Sequence, residues 1–404
     1  MRSFPLGNAA KPVLELLSLD DPLATDAEAV GAKAAALARA RAAGLPALPG
    51  FVLPVAAGAQ AMRIGRAALA AHGVARRAVS AAELGAVLAE RLRIAVDRLG
   101  GRVIVRSSSP LEADPRWAGA FSSLNEVDRD GIGAAVRSCW ASAFGPDPLR
   151  RLEQVGLGPE RLELAVLIQP ELRPVAGGTA QVGSEGVRVT GIRGHPGALL
   201  TGWAEGATAL IGTGGTGGTD THGLVEQIGE STVARVVELA LAGYATLGDD
   251  VIEWAAAPEI NLLQCGRSTP TPTRPAPVVS HIPGFGAAMR VPATGCAPGE
   301  AVGRLVYARP HEPIDGGASA HILVCDRPLP AFAPLLFGAR AVVCLAGAAD
   351  SHLAQVARSL GVPMLVQTPL TEVTGPLDTL NTGPGWLGAV DGARGELALV
   401  RRSS

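Results

Sequence analysis

The feature that most constrains the fold of this chain is an apolar strand that runs through a turn of small residues into a helix. The strand covers residues 341–345, and the turn ends with Asp350 and Ser351. Both residue types can cap a helix by accepting hydrogen bonds from its free N–H groups. The order strand, turn, helix predicts an α/β domain with His352 in the first turn of the helix.

A histidine at this position has two interpretations. Backbone N–H groups and the helix dipole attract phosphate at a helix start, so His352 is a candidate to take up and pass on a phosphoryl group. A lone histidine near a helix start is more often structural. The surrounding sequence, described below, favours the phosphoryl carrier.

Composition excludes several other classes of protein. The chain has 404 residues, enough for about two to three domains, and its 48% of apolar residues can fill large cores. A formal net charge of −2 gives no basic surface for nucleic acid. No apolar run reaches the roughly 18 residues of a membrane span, and the first residues lack the apolar core of a signal peptide. The five scattered cysteines have no metal-binding spacing, so we expect a reduced, cytoplasmic protein.

Lysine is rare in this sequence. Of 35 basic residues only Lys11 and Lys33 are lysines, so the chain uses arginine almost wherever it needs a cation. A lysine that persists against this bias suggests a position that needs a compact ammonium group. Lys33 is therefore a candidate binding residue, with chance as the alternative explanation.

Local patterns divide the chain into two parts. Periodicity and turn residues predict helices over 29–44, 81–100, 131–155 and 231–247, and strands over 51–54, 102–109, 251–254 and 260–264, with hairpin strands within 162–192. The proline-rich run 268–277 is the clearest linker, and a compact α/β domain follows it. The glycine-rich run 212–219 opens no helix with a lysine, so it is interpreted as a surface turn rather than a phosphate loop. His195 and His222 lack ligand partners at metal spacing and are interpreted as ordinary residues.

The segment around His352 resembles the swivelling phosphohistidine domain of the phosphoenolpyruvate-utilising enzymes, which include phosphoenolpyruvate synthase, pyruvate phosphate dikinase and rifampicin phosphotransferase. Eight residues match the family pattern in register: Gly347, Ser351, His352, Ala354, Ala357, Arg358, Gly361 and Pro363. Ala348 and Asp350 stand where the family has Gly and Thr. A carboxylate here would disfavour a phosphorylated histidine unless Asp350 turns to helix N–H groups or to a cation.

The first 267 residues resemble the ATP-grasp-like nucleotide-binding domain of the same family. The matching segments are residues 31–37, 44–51, 105–109, 119–127, 252–255 and 263–264. The resemblance implies an α/β (α+β) fold with an ATP-grasp-like domain linked to a swivelling phosphohistidine β/α domain. The implied boundaries are 1–267 for the nucleotide-binding domain (lobes of about 1–127 and 128–267), 268–290 for the linker and 291–404 for the phosphohistidine domain.

The resemblance also implies roles for individual residues. Lys33 and Arg106 would serve the phosphates of ATP as catalytic cations beside His352, and Ser123 takes the place of the family threonine above the phosphates. Glu253 and Gln264 would bind Mg²⁺ and nucleotide. Arg267 lies one place later than the family arginine and would contact the nucleotide. The residue chemistry agrees, since an ATP site needs cations, hydrogen-bond donors and a carboxylate for the metal. The alternative for Glu253 is an internal salt bridge.

The implied activity is that of an ATP-dependent phosphotransferase of the dikinase type. His352 would become phosphorylated with release of AMP and phosphate, and would pass its phosphoryl group to an acceptor, with a small molecule as the first expectation. Residues 268–404 leave no length for a phosphoenolpyruvate barrel or an acceptor domain. Two alternatives stay open: a relay subunit that discharges to a partner protein, as part of a homodimer or a mixed complex, and a degenerate module that binds nucleotide without transferring phosphate.

Overall fold

The computed structural model describes residues 16–70, 72–212, 219–268, 288–310, 312, 314, 321–382 and 385–401. The strands of these residues form three sheets, two before residue 267 and one after residue 288. Helices cover the sheets, which confirms the predicted α/β fold class. Most of the predicted linker, and residues 213–218 of the glycine-rich run, lie outside the described residues.

The first sheet has the strand order β1-β2-β5-β3-β4. Its strands are β1 (Leu17–Ser18), β2 (Phe51–Leu53), β3 (Val103–Ser108), β4 (Ser123–Val127) and β5 (Ala165–Pro170). The helices of this part are α1 (Ala27–Ala42), α2 (Val55–Ala67), α3 (His72–Ser80), α4 (Ala86–Arg98), α5 (Ile132–Ser142) and α6 (Pro146–Gln154). The helix predicted over 131–155 is two helices, because Gly145 is extended and Pro146 starts a new helix.

The boundary between the two lobes differs from the predicted one near residue 127. Strand β5 lies between β2 and β3 in the first sheet, so the chain as far as Pro170 belongs to the first lobe. The physical reason is a long-range strand pairing: β5 is almost fully buried and completes the core between two strands that precede it. Local sequence patterns carry no signal for such a pairing.

Helix α1 is kinked at Gly31, which has φ 76° and ψ 162°. A Cβ at Gly31 would lie 2.2 Å from the carbonyl oxygen of Ser108, so only glycine allows this close approach. The Ser108 side chain stabilises this contact, because its Oγ accepts a hydrogen bond from the Ala34 N–H at 3.1 Å. The kink thereby fixes the first turns of α1, including Lys33, against the end of β3.

The second sheet is antiparallel, with the order β10-β9-β6-β7-β8. Its strands are β6 (Ala176–Gly183), β7 (Gly186–Arg193), β8 (Ala207–Ile211), β9 (Val251–Ala257) and β10 (Glu259–Gly266). The helices of this lobe are α7 (Gly197–Leu200), α8 (His222–Ile228) and α9 (Glu230–Leu247). One face, with Ile252 and Trp254, is buried in a core that also includes residues of α9. The opposite face carries polar side chains, described below.

The third sheet has the order β11-β18-β17-β13-β14-β15-β16-β12, and its four neighbours β13 to β16 are parallel. Its strands are β11 (Met289–Pro292), β12 (Thr294–Ala297), β13 (Glu300–Tyr307), β14 (His321–Cys325), β15 (Ala341–Cys344), β16 (Met364–Val366), β17 (Trp386–Asp391) and β18 (Glu396–Arg401). Its helices are α10 (Ala333–Leu336), α11 (His352–Leu360), α12 (Thr371–Thr374) and α13 (Thr379–Thr382). Among the described residues, no helix has both the length and the apolar character that crossing a bilayer requires.

The third sheet contacts the second lobe through the loops at the carboxyl ends of β14 and β15. Arg327 donates a hydrogen bond to the Trp203 carbonyl at 2.9 Å, and the Gly347 N–H donates to the Glu205 carboxylate at 3.1 Å. Pro328 packs so closely on Gly202 that a Cβ there would lie 2.6 Å from the Pro328 oxygen. These contacts bring the loop before His352 to the second lobe. In α/β sheets, functional sites lie at this carboxyl edge of the strands.

Candidate active site

His352 is the first residue of α11, as the sequence predicts. The Ser351 Oγ caps the helix by accepting a hydrogen bond from the Ala354 N–H at 3.3 Å. The histidine side chain packs on Gly119 of the first lobe, where a Cβ would come within 3.2 Å of the His352 Cβ and Cδ2 atoms. Gly119 has φ 67°, which glycine adopts readily. The histidine that follows β15 of the third sheet is thus docked on the first lobe.

The His352 ring is uncharged at neutral pH. Burial, together with the positive charges of Lys33 and Arg151, lowers its pKa to about 4, while Glu112 and Gln355 act in the opposite direction. The ring atom Nδ1 is buried and has no hydrogen-bond partner among the described residues. A neutral imidazole carries one nitrogen lone pair, which is what a nucleophile needs.

The surface under His352 is held by a buried arginine. Arg151 of α6 is 1% exposed and pairs with Asp147 at 2.9 Å. It also donates hydrogen bonds to the carbonyls of Arg116 and Ala118, at 2.8 and 3.0 Å. These carbonyls belong to the short 3-10 turn that leads into Gly119. Arg151 therefore fixes the loop on which His352 packs.

Lys33 lies beside this loop and forms a salt bridge with Glu112. The two side chains are 15% and 4% exposed, so the pair is largely shielded from solvent. Glu112 also accepts a hydrogen bond from the Ser109 N–H at 2.9 Å, within a capping box. The sequence drew attention to Lys33 but not to this pairing, although Glu112 lies four residues after the matching Val-Arg-Ser-Ser segment.

Arg106 bridges the two lobes. Its guanidinium donates to the Leu263 carbonyl at 2.8 Å and to the Gln264 side chain at 3.3 Å. Ser123 lies opposite Arg106 in the ladder between β3 and β4 and is exposed. Three of the predicted site residues, Arg106, Ser123 and Gln264, are therefore brought together.

A row of polar side chains crosses the second sheet. Its members are register partners on adjacent strands, in the order Thr208, Thr190, Thr179, Glu253 and Gln264. Directly opposed residues of antiparallel strands share a face, so all five side chains lie on the face away from the apolar core. We call these five residues the polar row.

Glu253 is the charged member of the polar row and is only 5% exposed. Burial raises its pKa, and the positive charges of Arg106, Lys33 and His195 counteract this rise. A hard cation would stabilise the ionised carboxylate in this position, and the neighbouring Gln264 supplies a second oxygen ligand, so these residues fit Mg²⁺. The described residues contain no group of three or more His, Cys, Asp or Glu residues suited to a metal.

Asp350 turns away from the helix N–H groups. Its carboxylate accepts hydrogen bonds from the hydroxyls of Thr190 at 2.6 Å and of Thr179 at 3.5 Å. Arg358 lies 3.6 Å from its other oxygen. The carboxylate that replaces the family threonine is therefore compensated by a cation and by two members of the polar row.

Arg267 directly follows β10, and His195 follows β7. Arg267, a candidate for nucleotide binding, is 73% exposed, lies 4.0 Å from Asp249 and donates a hydrogen bond to the Leu247 carbonyl at 3.4 Å. Burial lowers the pKa of His195. Its Nδ1 accepts a hydrogen bond from the Gly197 N–H at 3.0 Å.

Two family models match the chain. The AMP/ATP-binding domain of pyruvate phosphate dikinase matches residues 27–183, and the mobile domain of phosphoenolpyruvate-utilising enzymes matches residues 317–395. The first match agrees with the predicted ATP-grasp-like fold and includes Lys33, Arg106 and Ser123. The second includes His352. No curated protein was found to match the chain.

Several solved structures share a weak overall likeness with this chain. The D-alanine-D-alanine ligase of Coxiella burnetii is 11% identical, with 61% of this chain and 49% of the ligase covered and a TM-score of 0.30. The D-alanyl-alanine synthetase A of Vibrio cholerae is 10% identical, with coverages of 60% and 56% and a TM-score of 0.30. Aconitase X of Thermococcus kodakaraensis is 14% identical, with coverages of 28% and 98% and a TM-score of 0.20. These TM-scores are too low to support an argument about function.

Proposed function

Because this chain belongs to the phosphoenolpyruvate-utilising, pyruvate phosphate dikinase-type enzymes, we propose that it transfers a phosphoryl group from ATP to an acceptor through a phosphohistidine at His352. The observation that carries the proposal is the docked position of His352. Its ring is neutral, rests on Gly119 and lies within electrostatic reach of Lys33. These contacts support the proposal, because transfer through a histidine needs a neutral ring and a nearby cation for the phosphates.

In the first step, a ring nitrogen of His352 attacks the β-phosphorus of ATP with its lone pair. A nitrogen–phosphorus bond forms as the bond between the β-phosphorus and the oxygen bridging to the α-phosphorus breaks. AMP leaves with that oxygen and the electron pair. Water then attacks the γ-phosphorus, and the bond between the γ-phosphorus and the oxygen bridging to the β-phosphorus breaks. Phosphate leaves with the water oxygen, while the bridging oxygen and the electron pair stay on the β-phosphoryl group. A water proton passes to solvent, and one phosphoryl group stays on the ring. Dividing a difficult transfer into two easier steps is the general advantage of covalent catalysis.

The cations of the site position the phosphates in this proposal. Lys33 and Arg106 offset the negative charge of the triphosphate, and the exposed Ser123 hydroxyl donates to it. Glu112 holds Lys33 in the absence of nucleotide and shares it with the phosphates when ATP binds. Glu253 and Gln264 would hold Mg²⁺, which supplies positive charge next to the triphosphate. The exposed Arg267 has no part in this assignment.

The mobile part carries the phosphoryl group to the acceptor. We propose the domain arrangement expected from the sequence, with a nucleotide-binding domain up to about residue 267, a tether over 268–290 and a mobile domain from 291. A tether keeps the local concentration of the histidine high at both of its destinations. A small molecule is the proposed acceptor, and discharge to a partner protein is the alternative.

The test is to follow label from ATP in the absence of any acceptor. The protein is incubated with Mg²⁺ and ATP labelled in the β- or the γ-phosphate, and the acid-labile protein label and the AMP are measured. We expect the β-label on the protein, together with AMP, and neither in His352→Ala. The matched control is His222→Ala, which removes an exposed histidine of α8 and leaves labelling unchanged.

Absence of β-label with nucleotide still bound would overturn the proposal and favour a nucleotide-binding module without transfer. Stable β-label that no small molecule can discharge, but that a copurifying protein can, would identify a relay subunit.

A further inference from the structure

We propose that Asp350 is a positioning residue that latches the mobile domain onto the second lobe, and that phosphorylation of His352 weakens this latch. The proposal rests on the proposed function, because its second half requires a phosphohistidine. Its first half concerns the resting protein and stands on contacts that involve no nucleotide.

The latch is a chain of hydrogen bonds between the two domains. A carboxylate can only accept hydrogen bonds, so Thr190 must donate its hydroxyl proton to Asp350, at 2.6 Å. The Thr190 oxygen then has lone pairs free to accept from Thr208, which lies 2.9 Å away on the next strand. Each bond in such a chain polarises the next and strengthens it. The polar row thus presents a donor aimed at the mobile domain.

The position of Asp350 gives the latch its effect on His352. Asp350 lies in the turn directly before α11, and Ser351 between them caps that helix with its side chain. Fixing Asp350 to the second sheet therefore also fixes the start of α11. His352, at that start, is held over Gly119 of the first lobe. The mobile domain thus contacts both lobes, at Asp350 and in the loops of Arg327 and Gly347 on the second lobe and at Gly119 on the first, and His352 is aligned between them.

Charge makes the latch sensitive to phosphorylation. Asp350 and His352 are two residues apart, so their Cα atoms lie within about 7.6 Å. The Asp350 side chain is 15% exposed, so salt screens its charge less than that of a surface residue. A phosphoryl group adds a charge of about −1.5 to −2. Arg358 lies 3.6 Å from Asp350 and partly compensates the existing carboxylate, but one guanidinium cannot balance both anions. Repulsion between the phosphohistidine and Asp350 then favours departure of the mobile domain after the transfer.

The experiment measures domain docking directly by energy transfer between two dyes. All five native cysteines are buried, so cysteines introduced at exposed Glu153 of the first lobe and Glu372 of the mobile domain are labelled selectively. Without nucleotide, we expect Asp350→Ala and Thr190→Val each to lower the ratio of docked to undocked molecules by about tenfold, the effect of losing a charge-assisted hydrogen bond.

Two further variants separate the latch from general damage. In the double variant Asp350→Ala/Thr190→Val, the ratio of docked to undocked molecules is expected to be no lower than in either single variant, because both substitutions remove the same bond. Thr208→Val removes a hydroxyl from the next strand that makes no hydrogen bond to Asp350. Its ratio of docked to undocked molecules is expected to stay within about twofold of the wild-type ratio. A docked ratio in Asp350→Ala equal to that of the wild type, or full additivity in the double variant, would overturn the latch.

Addition of ATP and Mg²⁺ tests the second half. The undocked fraction is expected to rise in the wild type as label appears on the protein, and to stay constant in His352→Asn. Labelling without undocking would refute the release but not the phosphotransfer. Absence of labelling, with the resting effects of Asp350→Ala and Thr190→Val intact, would refute the phosphotransfer and the release while leaving the latch in place. The failures of the two proposals are therefore distinguishable.

Discussion

At the scale of single residues, the ring of His352 has an unusual pH dependence. Burial lowers the ring pKa to about 4, below the value of about 6.5 for an unfolded histidine. The unfolded chain therefore binds more protons than the folded chain between these two values. The free energy of unfolding therefore decreases as the pH falls from about 6.5 towards 4.

This sign gives a prediction for acid unfolding. Urea unfolding is expected to show a loss of stability between pH 7 and 4.5. The loss should be smaller in His352→Asn than in the wild type, because asparagine takes up no proton when the chain unfolds. His222→Asn, at an exposed position, serves as the control and should follow the wild type. Equal pH slopes in the wild type and His352→Asn would contradict the assignment.

Glu253 gives a second prediction at this scale, in which stability and activity change in opposite directions. Burial raises its pKa, so the ionised form is unfavourable in the folded protein at neutral pH. Glu253→Gln removes the charge, and we expect a higher melting temperature without nucleotide and a loss of phosphohistidine formation of at least about 100-fold. Thermal unfolding and ATP labelling are the measurements. Glu259→Gln, in the adjacent strand and 76% exposed, should change neither by a comparable amount.

At the scale of elements, the 3-10 turn before Gly119 depends on one buried arginine. Arg151→Met leaves Asp147 without this charge and leaves the carbonyls of Arg116 and Ala118 without their donor. Breaking a buried pair in this way costs about 3–5 kcal/mol. Urea unfolding should show a loss of this size in Arg151→Met and almost none in Arg150→Met, since Arg150 is the exposed neighbour in the same helix. A similar loss in both variants would mean that the helix, rather than the buried pair, is responsible.

The elements also show what the sequence can and cannot predict. The strand β3, the helix α1 apart from its kink at Gly31, and the capped helix α11 were predicted closely, because their periodicity, terminal glycine and capping residues are local signals. The polar row was missed except for Glu253 and Gln264, since Thr179, Thr190 and Thr208 meet only through the register of antiparallel strands. The extent of the first lobe was missed for the same reason, as β5 joins its sheet over a long sequence separation.

Asp350 is a departure from the family pattern whose consequence the sequence left open. Its charge alone suggested repulsion of a phosphoryl group, or a turn towards N–H groups or a cation. Two of its partners, Thr190 and Thr179, belong to the second sheet, whereas Arg358 belongs to α11. Contacts between domains cannot be inferred from the spacing of residues in either one.

At the scale of the whole molecule, the docked arrangement depends on the small space between Gly119 and His352. Gly119→Ala would place a Cβ 3.2 Å from the His352 side chain, so the mobile domain must retreat by a few tenths of an ångström. We expect a lower docked fraction and slower labelling of His352. The measurements are energy transfer between the domains and the rate of label incorporation.

Gly156→Ala is the matched control for this prediction. Gly156 has φ 68°, against 67° for Gly119, but a Cβ there would have no atom within 4 Å. Both variants therefore carry the same backbone strain, and the difference between them isolates the contact with His352. Equal behaviour of the two variants would show that strain, and not docking, limits the reaction.

The salt bridge between Lys33 and Glu112 has a consequence for chemical labelling. Lys33 is one of only two lysines in the chain and is 15% exposed within its pair. An amine-acylating reagent can therefore modify two lysine side chains and the amino terminus. The mass of the peptide that contains Lys33 reports on that residue alone. Because acylation requires the free amine, its rate on that peptide would fall when the ammonium is engaged by phosphate. The arginine-rich composition makes the occupancy of the nucleotide site readable by mass spectrometry without any introduced probe.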